Sequence, residues 1–189
     1  MGITRWVEPL VTAQSAGSVI TAAAATSCIP TQAKYTLPAG FFDAPGKQLE
    51  IEATGQMTCV ATTPGTARLD VRFTSAGGGT IVVFDSLAIP LNVSGATNRT
   101  WRLNILLTCR AVGGSTSANL MGWGGFTSQA TIGAPGDGVA APGTFQLPYN
   151  STPAVGNGFD STAAQLVDLF FTQTVATGAF QLQQYRLLG

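Results

Sequence analysis

A chain of 189 residues and 19.4 kDa is long enough for one domain and cramped for two. Nine basic and nine acidic residues cancel, and charged residues make up only 10% of the sequence against 45% hydrophobic ones, a balance that argues against any nucleic acid partner. Histidine is absent, which removes the commonest general base and the commonest metal ligand, so no catalytic residue, cofactor or metal is expected.

The same sparseness bears on the surface. A folded chain of this mass exposes roughly 8,500 Å², or about one charge per 470 Å², so part of that surface is expected to be covered by other protein, a homo-oligomer and most simply a trimer. No run of 18 apolar residues passes without interruption, so no bilayer span and no membrane partner is expected.

Residues 1–30 carry only Arg5 and Glu8 as charges and show no regular apolar period. They read as an extended N-terminal arm. Ile3, Trp6, Val7, Leu10, Val19 and Ile20 are too apolar to stay solvated, and are expected to dock on a neighbour or on the protein's own flank. Glu8, Pro9 and Gln14 break the apolar core that a signal peptide would need, so the segment is expected to be retained. Cys28, Cys59 and Cys109 are odd in number and lack C-x-x-C spacing, which predicts buried free thiols in a chain assembled in the cytoplasm.

From residue 31 onward the pattern predicts strand after strand. Gln48 to Ala53 sends Leu49 and Ile51 one way and Glu50 and Glu52 the other, and Arg68 to Phe73 repeats the alternation with Leu69, Val71 and Phe73 inward. Thr63-Pro64-Gly65-Thr66 between them predicts a hairpin or close connection. After Gly77-Gly78-Gly79 comes the apolar run Ile81 to Phe84, with Pro90 at its end or at a sheet edge. Thr100 to Val112 places Trp101, Leu103, Ile105, Leu107, Cys109 and Ala111 on one face, with Leu106 an apolar residue on the other, to be covered by the arm or by a neighbouring subunit. In Asn119 to Gln129 the glycines 122, 124 and 125 predict a bulge or a close approach of backbones.

Residues 133–158 hold four of the ten prolines and six of the 23 glycines, which predicts a long loop with a short strand at Phe145 to Leu147. Gln165 to Val175 and Phe180 to Leu188 then read as a terminal hairpin, with a helical alternative over Leu166 to Phe170. About eight strands make an all-β domain over 31–189, a two-sheet antiparallel sandwich of jelly-roll-like type, since the length exceeds that of an immunoglobulin domain.

Few groups here carry chemistry. Glu50 and Glu52 share a strand face, but Arg68, Asp70 and Arg72 on the adjacent predicted strand make cross-strand ion pairing the expected use. The glycine clusters lack the strand-to-helix context of a phosphate loop. Asp137-Gly138 and Asn157 to Asp160 offer oxygen atoms without a calcium loop, and the three Asn-x-Ser/Thr triplets at 92, 98 and 150 read as products of a polar surface. Trp101, Trp123, Tyr149 and Tyr185 are the aromatic residues available for a sugar platform, Trp101 being on the inward phase.

Thr36 to Phe41 (TLPAGF), Val60 to Phe73 (VATTPGTARLDVRF), Leu107 to Arg110 (LTCR), Asn119 to Gly122 (NLMG) and Gly158 to Gln165 (GFDSTAAQ) resemble small virion proteins from the structural modules of tailed bacteriophages. The resemblance spans roughly residues 28–188 and is to capsid decoration (cement) proteins. It implies a non-enzymatic structural protein with a β-sandwich or jelly-roll core. It also implies a trimer on the capsid surface, with the major capsid protein as partner. A head-fibre or minor tail protein carrying a carbohydrate-binding jelly roll is the alternative that it implies.

Overall fold

The computed structural model describes residues 7–131, 143–176 and 178–189. Twelve strands run in chain order: β1 (Pro9–Thr12), β2 (Thr26–Ser27), β3 (Tyr35–Leu37), β4 (Gln48–Ala61), β5 (Thr66–Ser75), β6 (Thr80–Asp85), β7 (Ile89–Pro90), β8 (Ser94–Ala111), β9 (Asn119–Ser128), β10 (Gly143–Leu147), β11 (Gln165–Gln173) and β12 (Ala179–Leu188). One turn of 3-10 helix at Thr31–Ala33 precedes β3, and no α-helix occurs among the described residues. The eight long strands are those the alternation predicts, and the 165–175 segment is strand rather than helix.

Two antiparallel sheets pack face to face. Sheet A has the order β1-β12-β4-β8-β9-β10, and sheet B has β2-β11-β5-β6, with β3 also on β11 and β7 also on β5. The expected all-β sandwich is therefore present. Within it β5–β6 is a hairpin and β8–β9–β10 a meander, while β4 to β5, β10 to β11 and β11 to β12 each change sheet.

The expected terminal hairpin is thereby corrected, and of the two readings of the 63–66 turn, hairpin or close connection, the structure has the second. β4 pairs with β8 and β12, whereas β5 pairs with β11 and β6, so the turn at 62–65 carries the chain from one sheet to the other. The terminal pair does the same, β11 lying in sheet B and β12 in sheet A. Strands with one apolar face gain more by facing each other across the core than by lying side by side, and a short turn serves either geometry.

The inward phase is as the alternation predicts: Leu49, Ile51, Leu69, Val71, Phe73, Leu103, Ile105, Leu107 and Cys109 are all fully buried. Aromatic rings bind the layers together. Phe171 of sheet B stacks on Phe180 of sheet A at 3.9 Å between centroids, Phe180 on Trp101 at 4.6 Å, and Trp101 faces Phe126 at 6.1 Å. Gly55 makes room for this stack, because a Cβ there would fall 2.6 Å from the Trp101 ring. A second cluster joins Phe42, Phe73 and Phe159 edge to face.

The expected arm is part of this sandwich. β1 pairs with β12, Ala13 and Gly17 donate N–H bonds to Tyr185 and Leu182, and Ile20 exchanges two backbone bonds with Phe180 before β2 joins β11 in the other sheet. Ile20, Cys28 and Ile29 lie in the core. The segment lacks an apolar period because it is held through its backbone along the edges of both sheets, with side chains inserted at intervals. The predicted loop at 133–158 likewise contains β10 and, at Asn157, donates an N–H to Val82 O along the free edge of β6.

Two measurements check this fold. Leu107→Asp places an unpaired carboxylate in the core and should abolish the folded transition, while Asn104→Asp on the exposed face should cost under about 0.5 kcal/mol in thermal melts. Deleting residues 1–27 removes Ile20 and the edge of sheet A, and should lower the melting temperature by several degrees, where a detached arm would leave it unchanged.

Candidate functional site

The outer face of sheet A is built from the alternate residues that the core does not use. On β8 these are Arg102, Asn104, Leu106 and Thr108, with Arg110 following at the bulge that ends the strand. Register lays their neighbours beside them in rows: Thr54, Arg102 and Thr127; Glu52, Asn104 and Gly125; Glu50, Leu106 and Trp123; Gln48, Thr108 and Met121. Val155 bridges to Met121 from the loop beyond β9 and is 47% exposed.

Trp123 is half exposed at the centre of this face. Its backbone is pinned by the glycines on either side. A Cβ at Gly122 would lie 2.2 Å from the Phe84 ring and one at Gly124 2.2 Å from the Asn104 carbonyl oxygen, so β9 lies flush against β8 and against the opposite sheet. The expected close approach is thus present, and it presents the indole from a fixed support.

Two shallow depressions open on the same face. One of about 280 Å³ is lined by Val7, Gln48, Glu50, Leu106 and Leu188. The other, of about 460 Å³, is lined by Thr12, Glu52, Thr54, Arg102, Gln184 and Arg186.

The structure sorts the residues that the sequence singled out. Ile3, Trp6 and Asp137 lie outside the described residues. Val7 is 45% exposed beside Leu106, Leu10 is half-buried against the core and Val19 is 56% exposed. Ile20, expected to dock on a neighbour or on the protein's own flank, does the second: it is 3% exposed and packed in the protein's own core, where its backbone pairs with Phe180, and is not available to an interface. Leu106 is half-buried, and Val7 of the N-terminal segment shares its depression.

Of the aromatic candidates, Trp101 and Tyr185 are buried and Tyr149 is half-buried with its ring edge-on to Phe145. Only Trp123 among the four is exposed.

The expected ion pairs are rearranged because β4 and β5 are not neighbours. Glu52 pairs with Arg186 on β12, Arg68 with Asp85 on β6, and Arg72 with Asp70 two residues away on its own strand. Asp70, expected outward in solvent, is buried on the outer side of sheet B beneath this guanidinium, which also lies 4.0 Å over the Phe170 ring. Asp168 is buried as well, accepting from Lys34 at 2.6 Å and from the Ser27 hydroxyl at 2.7 Å.

The Thr162 hydroxyl and nearby backbone N–H groups hold the Asp160 carboxyl below its usual range. It organises its loop. Among the described residues no group of three or more His, Cys, Asp or Glu side chains is placed to hold a metal ion, and no helix is long and apolar enough to cross a membrane.

No protein-family model, curated protein or solved structure matches this chain.

Cys28, Cys59 and Cys109 are free and buried. Burial pushes all three thiols up, with the Asp168 carboxylate adding to the shift at Cys28. The native protein should therefore resist thiol reagents near neutral pH and label only on unfolding. A thiol raised in the folded state leaves stability at its full value below the unfolded pKa of about 9 and removes it above, since only the unfolded chain then ionises. The unfolding free energy from urea titrations should fall by about 1 kcal/mol between about pH 9 and 10 through Cys28, and Cys28→Ala should flatten that slope.

Proposed function

We propose that the protein is a non-enzymatic virion subunit of the tailed-bacteriophage type, a capsid decoration protein that binds the assembled head and stabilises it. The observation that carries this reading is the outer face of sheet A. A half-exposed Trp123 stands in a row with Leu106, beside Met121 and Val155, on a rigid sheet. Such a surface suits docking to protein, because large apolar side chains held in one conformation lose little entropy on binding.

The sequence resemblance supplies the partner, the major capsid protein, and the place, the capsid surface. A modest interface repeated on a symmetric lattice then gives strong overall attachment. Self-association into a trimer would cover more of the sparsely charged surface and multiply the attachment points per particle.

A second reading rests on Trp123 as the one exposed aromatic among the sugar-platform candidates, and would make the same face the carbohydrate site of a head-fibre or minor tail protein.

Heads prepared without the protein provide the test. Added protein should bind them saturably and raise the temperature at which they release their contents. Light scattering of the free protein should return three times the chain mass. Failure to bind heads, with binding on a glycan array that Trp123→Ala abolishes, would replace the decoration reading by the carbohydrate one.

A further inference from the structure

We propose that the strip of sheet A along β8 is a docking surface for an acidic protein surface, with Trp123 and Leu106 as its apolar centre and Arg102 and Arg110 as flanking anchors. In its choice of partner, the head, this rests on the decoration reading. The chemistry of the strip stands on its own.

Charge pairing is the first observation. Of the basic residues, Arg5 lies outside the described residues, and Lys34, Lys47, Arg68, Arg72 and Arg186 each meet a carboxylate. The three that remain, Arg99, Arg102 and Arg110, have no ion pair among the described residues, are exposed and all belong to β8. Arg99 has the parity of the inward positions and lies where β8 outruns β9. Arg102 and Arg110 bracket Leu106 at four residues to either side, about 13 Å each way along the strand.

Sheet B shows no such surplus. Its outer charges cancel locally, Arg68 with Asp85, Arg72 with Asp70 and Lys34 with Asp168. On sheet A the pair Glu52–Arg186 cancels too, while Glu50, directly beside Leu106 on β4, and Glu8 toward β1 bound the arginines on that side.

The second observation is that the unpaired arginines coincide with the exposed apolar centre. Tryptophan and arginine are both enriched where binding energy concentrates in protein interfaces, and arginines without an ion pair at the rim favour a partner of opposite charge. Leu106, Met121 and Val155 around the indole present aliphatic surface. That matches side chains of a protein, whereas a sugar chain would find Trp123 as the one exposed ring among the described residues to stack on.

Fluorescence titration tests the inference, since the Trp123 indole reports its own burial as the difference between wild type and Trp123→Phe. The acidic polypeptide probe is poly-L-glutamate, the acidic polysaccharide probe is polygalacturonate, and heads prepared without the protein are titrated in parallel. Wild type should bind poly-L-glutamate with an affinity that falls at least tenfold as salt rises. Arg102→Gln combined with Arg110→Gln should weaken binding to poly-L-glutamate and to heads at least tenfold with unchanged melting, as should Trp123→Ala, which lacks the reporting indole and is read by calorimetry and by co-sedimentation with heads. Arg68→Gln on the other sheet should leave both as they are.

Arginine-dependent binding of poly-L-glutamate without binding to heads would uphold the strip and overturn the decoration reading. Head binding that ignores the β8 and Trp123 variants would do the reverse. Preference for polygalacturonate, or no binding to either heads or poly-L-glutamate, would overturn the inference.

Discussion

The structure depends on a stack of rings that crosses from one sheet to the other. Phe171 belongs to sheet B and Phe180, Trp101 and Phe126 to sheet A, and their near-parallel planes fix both the spacing and the relative register of the two layers. The Trp101 indole N–H is buried without a partner, which costs on the order of 1–3 kcal/mol and is outweighed by the ring contacts. Gly55 lies under the indole and Ile20 is bonded through its backbone to Phe180, so the centre of β4 and the N-terminal segment are both committed to this one arrangement.

From that constraint the exposed face follows. A side chain opposite the core on β4, β8 or β9 has no freedom to turn inward, because a register slip of one residue would expose Leu103, Ile105 and Leu107 together. Trp123 and Leu106 therefore remain at the surface by the same alternation that buries their neighbours. The apolar outer row is a by-product of neither loop mobility nor strain. It is held by the best-packed part of the molecule.

The sequence was most legible where period and burial coincide. Leu49, Ile51, Leu69, Val71 and Phe73 announced their face, as did the run from Trp101 to Cys109, because a two-residue period has one physical cause. Which strand lies beside which was not legible. Thr63 to Thr66 turns the chain whether the next strand pairs or crosses, and β5 lies in the other sheet. Residues 7–29 were opaque for a different reason: their attachment is through backbone hydrogen bonds, which leave no pattern in side-chain type. The exposed indole could be suspected from its setting among glycines. That Arg102 and Arg110 lack carboxylates could not, because it depends on Glu52 turning to Arg186 and on the charges of β5 lying on the far side of the molecule.

One connection has a consequence in time. β12 lies between β1 and β4, so among the described strands of sheet A the first in chain order is paired to the last. Until β11 and β12 are in place the N-terminal segment lacks its backbone partners, and the indole of Trp101 waits for Phe171 and Phe180 before its stack can close. Loop closure over most of the chain must come before the contacts that reward it, which places folding in the slow range of milliseconds to seconds characteristic of non-local β topologies. The sandwich thus closes only when β11 and β12 dock, whatever the β5–β6 hairpin and the β8–β9–β10 meander have already paired.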